Sequence, residues 1–310
     1  MGFGRFCAVT TLGILVSGAV IAQSPPSPPP SGLAPLGAQQ QGPAPGTAAP
    51  IGTPAAPVPE TANLSLSAIF AGDQRPIRSG LVWRVFAESG VEGRPKLVAK
   101  SSAAGPSISV PPGTYTVHVT YGFAAAYKRI VVTNAGATER LAINGGALKL
   151  SGAIGEVPIG ANRLSFSIFL PVANDSEGRL VASNVKAGEI VRLPEGSYHV
   201  VSTYGESNAI MRVDLKVDPG RLTEATVNHR AATVTLKLVG SPGGEAFAGT
   251  AFSVLTPGGD VIREAIGAFP SVTLAEGDYV LIARHEGVVH TREFKVESGL
   301  DRDVEVIRKE

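Results

Sequence analysis

The chain has 310 residues, 44% of them hydrophobic, which allows about two domains, or more if they are β-modules of roughly 100 residues or fewer. Its 27 Lys and Arg against 26 Asp and Glu leave a formal net charge of +1. That balance gives no electrostatic basis for binding nucleic acid or an anionic membrane, both of which ask for a concentrated basic surface.

In chain order, the first segment, MGFGRFCAVTTLGILVSGAVIA, has one positive residue, Arg5, then an uncharged apolar stretch, then small or aliphatic side chains at Val20 and Ala22. It reads as a secretory signal peptide over residues 1–22, cleaved after Ala22, which places the mature protein in a periplasm or outside the cell. The alternative is a retained signal anchor, against which stand an apolar stretch short of the roughly 20 residues a span needs and its dilution by Thr10, Thr11, Gly13, Ser17 and Gly18. After cleavage no membrane span is expected. Cys7, the only cysteine, would leave with the peptide, and a thiol-free exported chain must rely on core burial.

Residues 23–60 form the next segment. Twelve of the 24 prolines fall between Ser24 and Glu60, and no charge intervenes between Arg5 and Glu60. This composition buries too little apolar surface to offset ordering entropy, so a disordered tether is expected, with a passive spacer as the plain alternative.

From Thr61 onward the texture is all β: short runs rich in Val, Ile, Leu and Thr, cut by Gly, Pro, Asn or Asp. Self-comparison shows a period. Tyr115, Tyr198 and Tyr279 stand in PPGTYTV, PEGSYHV and AEGDYVL; Trp83 and Phe166 each lie 32 residues before their tyrosine, Phe252 lies 27 before its own, and Gly136, Gly220 and Gly299 close later runs. The fold expected is three tandem antiparallel Greek-key β-sandwiches of about 80 residues each, over 61–146, 147–230 and 231–310, the third with a shortened middle. In the first, strands are placed near Leu64–Phe70, Leu81–Ala87, Lys96–Lys100, Ser107–Val110, Thr114–Tyr121, Tyr127–Thr133 and Thr138–Ile143. Linkers as short as Asn144-Gly145-Gly146 predict a semi-rigid rod.

Strand alternation puts Tyr115, Val117, Val119 and Tyr121 on one face and Thr116, His118 and Thr120 on the other. The repeated tyrosine, two residues after a glycine turn, is expected to bury its ring and bond a nearby turn carbonyl through its hydroxyl. Tyr115, Tyr198, Tyr279, Trp83, Phe166 and Phe252 are therefore the predicted structural core. The three motifs resemble the P-x-G-x-Y-x-V signature of carboxypeptidase regulatory-like and PEGA-type modules, which are transthyretin-like β-sandwiches; the third copy lacks the proline. The resemblance implies a non-catalytic sandwich used for spacing, folding support or binding, with no catalytic residues to carry over.

Few residues in the sequence are patterned for chemistry. HEGVVH spaces His285 and His290 at i and i+5 with a glycine between, not the i, i+4 of a zinc helix, and places them at a hairpin tip where they could face each other. His118 and His199 read as surface histidines at like outer-face positions, with Val280 in the third copy. No G-x-S-x-G elbow or phosphate loop occurs. No catalytic residue, metal or cofactor is expected. The tips that follow each repeated strand diverge more, and Phe123 and Tyr127 are apolar where a turn should be polar. Phe123, Tyr127, His285 and His290 are the predicted partner contacts; alternatively, the tips fold back onto the adjacent module. The sequence thus points to a non-catalytic exported envelope protein, a tandem structural or protein-interaction module whose partner is an envelope protein or cell-wall glycan. The alternative is a carbohydrate-binding or enzyme-accessory protein, which would need an aromatic platform on an exposed sheet face.

Overall fold

The computed structural model describes residues 60–88, 95–173 and 175–309. The signal-peptide and tether segments lie outside the described residues.

Module 1 contains β1 (Ala62–Phe70), β2 (Leu81–Ala87), β3 (Lys96–Ser101), β4 (Ser107–Val110), β5 (Gly113–Tyr121), β6 (Ala124–Val132) and β7 (Ala137–Ile143). Each strand lies within three residues of its expected limits. Module 2 follows with β8 (Gly145–Ile154), the short β9 (Val157–Pro158), β10 (Leu164–Val172), β11 (Asp175–Val185), β12 (Ile190–Pro194), β13 (Gly196–Tyr204), β14 (Ile210–Val217) and β15 (Leu222–Asn228). Module 3 has β16 (Ala231–Val239), β17 (Thr250–Leu255), β18 (Val261–Gly267), β19 (Ser271–Ala275), β20 (Gly277–His285), β21 (Val288–Val296) and β22 (Arg302–Ile307).

Every module pairs one sheet built on three strands with one of four. The orders are β4-β1-β7 with β3-β2-β5-β6, then β12-β8-β15 with β11-β10-β13-β14, then β19-β16-β22 with β18-β17-β20-β21. Period-2 alternation drives the assembly: along β5 the tyrosine and two valines are buried while the intervening residues are partly exposed. The inward faces form three separate apolar clusters, one per sandwich. Trp83, Phe166 and Phe252 are the largest fully buried side chains, and they pair with Val119, Ser202 and Ala283, each four residues past the module's tyrosine. The three copies therefore share one register despite the shortened third.

One pairing per module departs from the all-antiparallel expectation. The first and last strands run parallel, as in Leu64↔Ala137 to Phe70↔Ile143, and β8 with β15 and β16 with β22 repeat this. The physical consequence is directional. A chain that leaves a sandwich in the direction it entered is at the opposite end, where the next module can begin directly, as β8 does with only Asn144 between it and β7.

Candidate interaction surfaces

The turn and tyrosine of the repeated motif sit at the leading end of each sandwich, and the β5–β6, β13–β14 and β20–β21 tips at the trailing end. Each tyrosine hydroxyl donates to the carbonyl four residues earlier: Tyr115 to Pro111 at 2.6 Å, Tyr198 to Pro194 at 2.9 Å and Tyr279 to Ala275 at 2.9 Å. Burial pushes all three phenols above their usual pKa. The motif thus closes the sandwich, and in modules 2 and 3 its surroundings also receive the tip of the preceding module.

At the first junction, the Phe123 backbone N–H donates to the Arg192 carbonyl at 3.0 Å, and the Arg192 guanidinium lies 5.1 Å from the centre of the Tyr121 ring. Gly122 has φ 61°, and a Cβ added there would meet Arg192 Cβ at 2.5 Å. The second junction repeats the arrangement. Gly205 has φ 71°, with Thr273 Cβ 2.7 Å from an added Cβ. Asn208 Nδ2 donates to Tyr279 Oη at 2.8 Å while Asn208 Oδ1 accepts from the Ala275 N–H at 3.0 Å. Arg263 pairs with Glu206 at 2.8 Å, and Arg163, over the Tyr204 ring at 4.8 Å, donates to Thr233 Oγ1 at 2.6 Å. Asn208 belongs to the second tip that the sequence singles out, but sequence reasoning missed Arg163 and Arg192, because only the tertiary fold shows which residues a tip meets. At the third tip, Glu286 takes the equivalent position, also at positive φ, 49°.

The predicted contact residues separate. Tyr127 is 80% exposed and Phe123 keeps an exposed ring although its backbone is docked. His290, at 7%, is buried, so its expected place on an outer contact surface is corrected: period-2 alternation turns it inward with Phe294 and Val296. Nor do the two histidines face each other, since His285 pairs with Val288 and His290 with Ala283. The His285 ring instead lies 5.3 Å from that of Phe247, and His290 Nδ1 accepts from the Lys309 backbone N–H at 3.4 Å. Among the described residues, no group of three or more His, Cys, Asp or Glu side chains is placed to hold a metal ion.

His118 and His199 also prove not to be equivalent, because they stand three and one residues past their tyrosines. His118 is flanked by Arg84 and Tyr127, and Arg84 in turn pairs with Lys100. This gives a transverse row of Lys100, Arg84, His118 and Tyr127 on the outer face of module 1. Burial, and secondarily the charge of Arg84, pushes the His118 pKa below the usual range.

The family model of the Rhizobiales growth-associated tandem repeat domain matches residues 233–308, which fall in module 3. No curated protein matches the chain. Among solved structures, the Bacillus anthracis TIE protein is 17% identical, with 81% of this chain and 50% of that one covered and a TM-score of 0.24. This chain therefore spans about half the length of that protein. A Streptococcal ancillary pilin is 15% identical over 81% of this chain and 99% of its own, at a TM-score of 0.27. The major pilin subunit BcpA of Bacillus cereus is 10% identical over 80% and 100%, at 0.22. Among the described residues, no helix is long and apolar enough to cross a membrane.

Proposed function

We propose that the chain is a non-catalytic exported protein of the cell envelope that acts as a structural and protein-interaction module. In this reading the signal peptide is removed after Ala22, residues 23–60 tether the folded part in the periplasm or outside the cell, and the sandwiches over 61–146, 147–230 and 231–310 present their outer sheet faces to a partner. The supporting observation is the docking of the first and second tips onto the next module, which fixes successive faces relative to one another while leaving Tyr127 and the Phe123 ring open to contact. The specific kinship with carboxypeptidase regulatory-like modules belongs to the same proposal and rests on the P-x-G-x-Y-x-V pattern.

A photo-crosslinking residue at position 127, in the full chain expressed in its native host, tests the reading. The expected product is a discrete adduct with an envelope protein that is lost when the residue is moved to the buried position 119. Adducts confined to cytoplasmic proteins would overturn it. Carbohydrate binding is a second reading, favoured by Phe169 on an exposed sheet face of module 2.

A further inference from the structure

The outer face of the β11-β10-β13-β14 sheet holds a cavity of about 530 Å³ lined by Phe169, Ser176, His199, Val201, Arg212 and Asp214, within the range of roughly 300–1,000 Å³ common for small-molecule sites. Register assembles it. Phe169, His199 and Asp214 form one transverse row, and Val201 with Arg212 belongs to the next. His199 Nδ1 bonds Asp214 Oδ1, which holds the imidazole in place. Among the described residues, no carboxylate pairs with Arg212.

The other two modules serve as controls for what a sandwich needs at these positions. The row equivalent to Phe169, His199 and Asp214 is Phe86, Thr116 and Arg129 in module 1, where Arg129 is bound to Glu88 at 2.7 Å. In module 3 it is Leu255, Val280 and Glu293. The fold closes without an imidazole–carboxylate pair beside an unpaired guanidinium, so their combination in module 2 is not a requirement of packing.

We propose that this cavity binds an acidic sugar unit of a polysaccharide. The Arg212 guanidinium matches a carboxylate in a two-pronged hydrogen-bonded pair. Phe169 and Val201 supply the apolar floor on which one face of a pyranose rests. The His199–Asp214 pair and the Ser176 hydroxyl offer donors and acceptors to ring hydroxyls. The proposal deepens the envelope-interaction reading by naming a ligand class for one face, and it fails separately, since crosslinking at position 127 does not involve this cavity.

The test is an NMR titration of the full chain with a short oligogalacturonate, the matching neutral oligosaccharide and inorganic sulfate. The expected result is amide shifts confined to the strands bearing the six lining residues, with a Kd on the order of 1 mM for so open a site. R212Q and F169A should each weaken binding by about tenfold or more, corresponding to roughly 1.4 kcal/mol, while R129Q on module 1 leaves it unchanged. Unaltered spectra elsewhere in R212Q establish that the variant is folded. Absence of shifts, equal binding of the neutral oligosaccharide, full binding by R212Q, or sulfate reproducing the same shifts at the same affinity would each overturn the proposal.

Discussion

Asn208 at the tip of module 2 and Tyr279 in the motif of module 3 share a hydrogen bond of 2.8 Å, while the tyrosine itself donates to Ala275. One phenol therefore closes its own sandwich and anchors the preceding one. Removing Asn208 leaves the buried phenol short of a donor and the Ala275 N–H without its acceptor. Asn208→Ala should cost about 1–3 kcal/mol. Asn208→Asp keeps an acceptor for Ala275 but sets a carboxylate oxygen against the Tyr279 oxygen, whose proton is committed to Ala275, and should cost at least as much. Urea denaturation of the three proteins checks the order.

The junction glycines are constrained twice, by conformation and by the neighbouring module. Gly205→Ala forces a side chain into positive φ and within 2.7 Å of Thr273 Cβ, whereas Gly287, at φ 79°, has nothing within 4 Å of an added Cβ. Gly287→Ala should therefore cost only the backbone term, about 1–2 kcal/mol, and Gly205→Ala clearly more. Equal losses in chemical denaturation would contradict the close docking.

His229 lies between modules 2 and 3, 1% exposed, with Nε2 bonded to Ser202 Oγ at 2.8 Å and Nδ1 without a partner. Burial pushes its pKa below the usual histidine range. The native state then binds fewer protons than the unfolded chain, so the contribution to stability is fully present above the unfolded value of about 6.5 and is lost as pH falls below it. In the protonated imidazole both ring nitrogens carry a hydrogen, and the one on Nδ1 has no acceptor. The thermal midpoint should fall between about pH 8 and about pH 5, and His229→Asn should reduce that slope. His118 acts with the same sign, so the variant retains a residual slope.

Trp83 is fully buried in module 1, and its indole N–H donates to the Ala103 carbonyl at 3.0 Å. Trp83→Ala should cost about 3–5 kcal/mol through the cavity it leaves. Trp83→Phe keeps an aromatic ring but leaves the Ala103 carbonyl without its donor, and should cost less. Far-UV circular dichroism during denaturation reads both.

Much of the fold was legible because its causes are local. Alternation along PPGTYTVHVTYG assigns the inward residues of β5, and the glycine two places before each tyrosine marks the turn entering the strand. Recurrence of Tyr115, Tyr198 and Tyr279 announces three copies. The functional surfaces were less legible. Periodicity also turns His290 inward, but a histidine beside a glycine tip reads as exposed, and proximity in the chain suggested a pair that register does not make.

By itself, the sequence determined three β-sandwiches, the strand limits of the first and the aromatic residues at their cores, since short-range pattern and burial settle these. The tertiary structure alone decided that the first and last strands run parallel, that Gly122 and Gly205 lie against Arg192 and Thr273, and that Phe169, His199, Arg212 and Asp214 share one cavity. These relationships join residues from different strands or modules. Register and docking bring them together, and no local periodicity encodes that distance.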